Sequence, residues 1–308
     1  MNYEKQKLVV FGKNGQVAKA LAKEILEHAV FGLWESNFFG SNEVSFENPV
    51  QVLQVLEQLN PTVVINAAAY TAVDLAETEK EKALKINAET PAEIAKWCKK
   101  NGAVLIHYSS DYVYEGLGIE PHQENEKHSP QSHYGFTKSQ GDEEIIKSGC
   151  KHLIFRTSWV YFEQGKNFVV TMLKLSEKPE LKIVSDQVGS PTYAKDIARA
   201  TLKALDISLR AAKFPSGIYH LTNEGFTSWA DFAKQIFSKA KEVELIQQEP
   251  KVIAIPSSEY PTPAKRPLNS RLDTKKIREA FGVDLRPWNE ALTEMLNKLN
   301  ATELGVKK

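Results

Sequence analysis

Short apolar runs alternate with amphipathic stretches through the first half of this 308-residue chain, and that alternation narrows the fold more than any other feature. Residues 8–11, 31–34, 62–65, 103–108 and 152–155 read as buried strands. Between them, residues 16–28, 50–59, 80–100 and 134–146 have the pattern of helices. Strands that alternate with helices predict an α/β fold of the Rossmann type, a doubly wound parallel sheet. After Arg156 the pattern loosens, and Pro179, Pro191, Pro215, Pro256, Pro261, Pro263 and Pro267 break the chain into shorter elements. Helices are expected near 196–205, 228–240 and 274–280. Residues 1–156 are therefore assigned to a dinucleotide-binding domain, to which later segments return. Residues 157–308 are assigned mainly to a smaller, interleaved C-terminal substrate-binding lobe.

Charge excludes two classes of partner. Lysine plus arginine and aspartate plus glutamate each number 39, and the pI is about 7.1. So even a balance gives no electrostatic footprint for nucleic acid or for an anionic membrane. The polar opening lacks the apolar core of a signal peptide, and no apolar run approaches the ~18 residues a membrane span needs. Cys98 and Cys150 make no disulfide framework and read as ordinary reduced thiols of a cytoplasmic protein.

The first strand ends in Gly12-Lys-Asn-Gly15-Gln-Val-Ala18, where a helix begins. Glycines at a strand-to-helix turn let the backbone approach a pyrophosphate, and the helix N-terminus supplies unpaired N–H groups. About 20 residues on, an acidic side chain would accept hydrogen bonds from a nucleotide ribose. Glu35 is the candidate, either in that role or as a solvated strand end; with Ser36 beside it and no arginine nearby, it leans toward NADH over NADPH. Further on, the small residues of Asn66-Ala-Ala-Ala-Tyr-Thr71 would let a flat ligand lie against the end of the third strand. The fourth strand ends in His107-Tyr-Ser-Ser110-Asp111-Tyr112, whose hydroxyls could orient a carbonyl oxygen or simply end the strand.

Twenty-four residues beyond Ser110 comes Tyr134, followed four positions later by Lys138. On a helix these two share a face. A nearby ammonium favours the phenolate, so the tyrosine's proton becomes easier to move, as reduction of a carbonyl requires. The same spacing also occurs on solvated helices, so the pair takes its meaning from its setting.

Together these segments resemble the extended short-chain dehydrogenase/reductases, and among them the reductases of keto-sugar nucleotides. The resemblance runs nearly the whole chain. It is carried by Phe11–Val17, Asn66–Glu77, Tyr108–Val113 and Tyr134–Lys138, and in the second half by Arg156–Tyr161, Asp186–Thr192 and Tyr260–Arg271. It implies NADPH or NADH as cofactor and a dTDP-linked 4-keto-6-deoxy sugar as substrate, reduced at C4. Ser110 would be the catalytic hydroxyl, Tyr134 the general acid, and Lys138 its partner and a holder of the nicotinamide ribose. Gly15, Gln16 and Val17 match the pyrophosphate loop, Ser45 and Phe46 an adenine-side pair, and Ala68, Ala69, Tyr70 and Thr71 the strand end along the cofactor. Val73, Asp111, Tyr112 and Trp159 match sugar-nucleotide contacts, with Trp159 open to a purely core role. Lys265 and Arg266 could meet the diphosphate or form a solvated basic pair. Some relatives join subunits through Mg2+ held by glutamates. Here Ala20 and Lys195 stand at two such places, so a metal-bridged dimer is not expected, while a homodimer of another kind stays open. A reductase of a different 4-keto sugar nucleotide, or a non-catalytic cofactor-binding regulatory subunit, would share most of these residues.

Overall fold

The structure, a computed structural model, describes residues 6–306; the first five residues of the polar opening lie outside it. Its centre is a six-stranded parallel sheet. In chain order the strands are β1 (Lys7–Phe11), β2 (Glu35–Phe39), β3 (Val63–Asn66), β4 (Val104–Ser110), β5 (Lys151–Thr157) and a late sixth, Gly217–His220, all parallel to their neighbours. In space the sixth strand is followed by β5, β4, β3, β1 and β2. The chain leaves β1 outward to β2 and returns to β3 on the other side. The crevice between β1 and β3 is thus the switch point where such sheets bind ligands.

The uniformly apolar runs have a simple cause. Successive residues of a strand point to opposite faces, and both faces are covered. Leu8 and Val10 join one core with Val63, Ile65, Ile106 and Phe155, while Val9 and Phe11 join another with Val64, Leu105 and Ile154. On the first face lies α1 (Gln16–Glu27). On the second lie α2 (Pro49–Leu59) and α4 (Thr90–Asn101), which is joined to the short α3 (Lys80–Leu84) through a π-helical turn at Lys85–Glu89. The expected helix over 80–100 is therefore present but interrupted, just ahead of Pro91, whose missing N–H cannot support a regular turn.

One strand expectation fails. Residues 31–34 are not β2: Phe31–Leu33 form a 3-10 turn, and Phe31 and Trp34 bury their rings in the core beneath it. The strand that pairs with β1 begins four residues later, at Glu35. Large apolar side chains signalled burial here but not backbone conformation.

The helix that carries Tyr134 and Lys138 is α5 (His133–Ser148), capped by Ser132 at its start and by left-handed Gly149 at its end. Much of its buried surface is polar, because Thr137, Lys138, Ser139 and Asp142 are all buried. Asp142 is met by Arg156 of β5, Oδ2 to Nε at 3.0 Å, with neither side chain exposed. Arg156 also donates to the Tyr114 hydroxyl at 2.6 Å and bonds His128.

The second half supplies α6 (Phe168–Lys174), α7 (Ala194–Arg210), α8 (Trp229–Glu242), α9 (Lys275–Phe281) and α10 (Trp288–Val306). Of these, α7 packs on α1 beneath the sheet. A parallel two-stranded sheet, Glu180–Val184 with Lys251–Ile255, packs on α8. Neither α6 nor α10 was expected from sequence. Cys98 and Cys150 are buried free thiols, pushed up by burial. Among the described residues no helix is long and apolar enough to cross a membrane.

Removing one partner of a sealed ion pair leaves the other charge stranded, at a cost of about 3–5 kcal/mol. Asp142→Ala is expected to lose stability on that scale in chemical denaturation; a loss below about 1 kcal/mol would show that Arg156 finds its counter-charge elsewhere.

Candidate active site

The loop after β1 is shaped for close approach. Gly12 has φ +90°, and a Cβ there would lie 2.5 Å from the Ala67 carbonyl carbon and 2.6 Å from Ala68 N. Only glycine fits a backbone in that region pressed against the outgoing end of β3. Gly15 then forms the N-cap of α1, where no side chain caps the helix and no acidic residue occupies the first turn. The free N–H groups and partial positive charge are left for an anion. Gly12, Gly15, Ser45, Phe46, Ala68 and Ala69 line a cavity of about 230 Å3 across the β1–β3 crevice. Val17 packs into the core, and the Gln16 side chain turns away to accept from Asn167 Nδ2 at 2.9 Å. This donor set and shape fit a dinucleotide.

Tyr70 and Thr71 do not line that cavity. Tyr70 is buried, its hydroxyl on Glu79 at 3.0 Å, while Thr71 is exposed. Glu35 is a correction. It is the first residue of β2, opposite Lys7 at the start of β1, and is exposed beside the Lys7 ammonium at 3.8 Å. Ligands meet such sheets at the other, carboxyl ends of the strands, so Glu35 cannot reach the ribose, and the lean toward NADH that rested on it lapses. The end of β2 presents Gly40 and Ser41 instead. Glu47 is the carboxylate that lines the cavity, while Glu43 accepts the Gly40 N–H at 2.7 Å and pairs with Lys13 at 3.1 Å.

Tyr134, in the first turn of α5, is held from several directions. Glu77 Oε1 accepts the His133 N–H at 2.7 Å, tying the helix start to the segment after β3. A Cβ on Gly135 would collide with the Tyr112 carbonyl oxygen, so glycine is what lets α5 start against the end of β4. Tyr134 packs on the small cluster of Tyr70, Ala76 and Ala83, and its ring meets that of Tyr112 edge-on, centroids 5.4 Å apart. Burial pushes its phenol up, and the Ser110 hydroxyl draws it back only in part. The expected lowering by Lys138 does not appear among the dominant influences. Lys138 is itself pulled down to about 8 by burial. Its Nζ donates to the Tyr108 carbonyl at 2.6 Å and lies 3.2 Å from His107 Nε2.

Ser110 donates its proton to Asp111 Oδ1 at 2.9 Å and accepts from Tyr112 N–H at 3.2 Å. Burial pushes the Asp111 carboxyl up to about 6, against the pull of the Ser270 and Ser110 hydroxyls. Beyond Tyr112 opens a second cavity, of about 380 Å3, lined among others by Tyr112, Trp159, Trp229, Gln187, Arg266 and Ser270. Trp159 takes the left-handed φ of +50° and stacks on Trp229, centroids 3.5 Å apart, so it is a wall of this cavity and not a closed core ring. Arg266 Nη2 pairs with Asp74 at 2.7 Å, and Nη1 reaches the Tyr112 hydroxyl at 3.5 Å. Lys265 instead donates to Gln131 on the surface. Val73, half-buried, sits beside Asp74.

Several contributors were missed by the sequence reading. Asp74 and Glu77 lie inside the Asn66–Glu77 motif, where nothing local marks the carboxylates as partners of Arg266 and of the His133 N–H. Asn87, in the π turn, holds the Tyr70 backbone at 2.8 and 3.1 Å and donates to Thr137 at 3.0 Å. Trp229 carries no local signal, because only folding brings it to Trp159.

The donor set at the two alternative metal positions does not suit a divalent cation. Ala20 is buried, and the Lys195 ammonium occupies Glu294 at 2.7 Å.

A family model described as the RmlD substrate binding domain matches residues 6–301. The dTDP-4-dehydrorhamnose reductase of Escherichia coli K12 is 40% identical over 299 residues, covering 96% of this chain and 98% of that protein. A crystal structure of a dTDP-4-dehydrorhamnose reductase from Clostridium acetobutylicum is 36% identical, with a TM-score of 0.87 over 96% of this chain and 99% of that one. The Bacillus anthracis enzyme of the same name, solved in complex with NADP, is 32% identical, with a TM-score of 0.86 over 96% and 99% of the two chains.

Gly12→Ala is expected to weaken NADPH and NADH binding more than tenfold, about 1.4 kcal/mol, in a nucleotide-fluorescence titration, and Glu35→Gln to leave both unchanged. A strong loss in Glu35→Gln would restore that residue to the ribose.

Proposed function

The chain belongs to the RmlD substrate-binding-domain family of dTDP-4-dehydrorhamnose reductases, and on that premise we propose how its own residues carry the reaction. It is an NAD(P)H-dependent oxidoreductase of dTDP-rhamnose biosynthesis. The substrate is the 4-keto sugar dTDP-6-deoxy-L-lyxo-4-hexulose and the product dTDP-L-rhamnose.

Gly12, Gly15 and the start of α1 hold the pyrophosphate, with Ser45, Phe46, Ala68 and Ala69 along the adenosine half. Reduced nicotinamide, when held there, would supply the hydride for C4. The single observation that carries the assignment of roles is the position of Tyr134. It packs on the same small cluster (Tyr70, Ala76 and Ala83) as Ile86, which lines the nucleotide cavity, and its ring meets that of Tyr112, which lines the larger one. A proton donor between two cavities suits a reaction between two ligands.

Because burial keeps the phenol protonated at neutral pH, Tyr134 arrives as an acid and gives its proton to the C4 oxygen as charge develops there. Ser110 turns its hydroxyl from Asp111 to the same oxygen, adding a second donor where the negative charge forms. Lys138 partners Tyr134 and holds the nicotinamide ribose. In the larger cavity, Trp159, Trp229 and Tyr112 supply the wall against which the sugar nucleotide lies; Asp111 and Val73 do not line it and would reach the substrate only from beside Tyr112 and Asp74. Arg266, already charge-paired with Asp74, offers its remaining N–H groups to the diphosphate. Residues 1–156, with the later strand Gly217–His220, form the nucleotide-binding part and 157–308 mainly the sugar-nucleotide lobe, in a cytoplasmic protein that can pair as a homodimer without a bridging metal.

Tyr134→Phe is expected to cut kcat by about 100-fold or more and to leave nucleotide affinity near wild type. The assay is loss of absorbance at 340 nm with the dTDP-keto sugar. A fully active Tyr134→Phe enzyme would sink this mechanism, and an inactive wild type that still binds nucleotide would point to a regulatory subunit.

A further inference from the structure

The segment that joins β5 to α6 ties the two cavities together in a way the chemistry above leaves unused. Within it, Trp159 and Phe168 both line the larger cavity. Trp229 completes the aromatic group, its ring centroid 3.5 Å from that of Trp159 and 4.5 Å from that of Phe168. One residue in from each end, this stretch bonds the same side chain. Gln16, in the first turn of α1, donates from Nε2 to the Val160 carbonyl at 3.4 Å and accepts at Oε1 from Asn167 Nδ2 at 2.9 Å.

Asn167 is engaged in two further directions. Its Nδ2 also donates to the Phe162 carbonyl at 2.7 Å, and its Oδ1 accepts the Val170 N–H at 3.0 Å as the N-cap of α6. It therefore sets where α6 starts, and Phe168, Thr171 and Met172 of that helix line the larger cavity. Gln16 belongs at the same time to the other cavity. Its main chain opens α1 directly after Gly15, where free N–H groups await a pyrophosphate. An anion that fixes this backbone narrows the positions open to the Gln16 side chain, and so to both ends of residues 159–168. The middle of the segment, Gln164, Gly165 and Lys166, is exposed. Its remaining ties run to the second lobe, through Glu163 on the Tyr193 hydroxyl and the Thr192 N–H on the Trp159 carbonyl.

We propose that Gln16 couples the two cavities: a dinucleotide on the β1–α1 loop orders residues 159–168 through Gln16 and Asn167, and so raises affinity for the sugar nucleotide. This rests on the reading of that loop as the pyrophosphate site. Asn167 is a positioning residue in this scheme, acting on the aromatic wall through α6. The coupling is reciprocal, so the sugar nucleotide tightens dinucleotide binding by the same factor. Once one ligand has ordered the wall, the other does not have to order it again.

Calorimetric titration of dTDP into the wild-type protein should show affinity at least about fivefold higher with NADP+ bound than without it. The serine of Asn167→Ser can still cap α6, as Ser132 and Ser228 cap α5 and α8, but is too short to reach Gln16. In that variant the ratio should fall below about twofold, with affinity for NADP+ alone near wild type. Equal dTDP affinities in the wild type, or an undiminished ratio in Asn167→Ser, overturns the proposal. Hydrogen exchange gives a second reading without variant or sugar nucleotide. Amides of residues 160–173 in the wild type should exchange more slowly once NADP+ is added, and unchanged exchange overturns the proposal. A misassigned substrate would show instead as absent dTDP binding beside slowed exchange.

Discussion

Much of the buried surface of α5 is polar, and this is the constraint on which the rest of the site depends. Thr137 receives Asn87, Lys138 faces His107 and the Tyr108 carbonyl, Ser139 meets His128, and Asp142 pairs with Arg156. Each of these groups would cost about 1–3 kcal/mol if left unsatisfied away from water. A slip or rotation of the helix would orphan several of them together. An apolar face would tolerate small shifts, because apolar contact has no direction. Polar partners from β4, β5 and the π turn lock one register, and Tyr134 takes its position from that lock.

The same burial acts on both ends of the catalytic pair. It disfavours charge, so it raises the phenol of Tyr134 and lowers the ammonium of Lys138. Both groups are thereby pushed toward their neutral forms, which suits the reducing direction, where an oxygen gathers negative charge and needs a proton. Isolated on a helix, a lysine four residues from a tyrosine would be expected to make it more acidic. In this fold desolvation outweighs that attraction, and Lys138 has nearer polar neighbours on β4. The pair works through its surroundings as much as through its spacing.

The sugar-nucleotide side is built differently. Its charges are half-exposed and already matched, Arg266 against Asp74, while its walls are the aromatic rings of Trp159 and Trp229. Trp159 keeps its place at the expense of a left-handed backbone, a conformation that costs a non-glycine residue of order 1 kcal/mol or more. Stacking on Trp229 and close packing over Gly189, where a Cβ would lie 2.9 Å from its ring, hold it there. Of this arrangement the sequence shows Arg266 and Trp159 in two separate motifs. That they line one cavity follows from α8 and the loop before α9 folding over the sheet ends.

What could be determined from sequence alone was whatever local chemistry decides. A strand buried on both faces must be apolar throughout, so β1, β3, β4 and β5 are legible. A turn with positive φ against another backbone must be glycine, so Gly12 is legible, and the Tyr134–Lys138 spacing follows from helix geometry. The failures share one cause. Glu35 was placed by counting along the chain, but whether a residue opens or closes a strand depends on where pairing with β1 begins. The roles of Asn87, His107, Asn167 and Trp229 depend on partners distant in sequence, and α6 and α10 take their order from packing in the second lobe. Only the tertiary structure could decide these, because hydrogen-bond direction, burial and ring contact are properties of pairs of residues, while a sequence displays its residues one at a time.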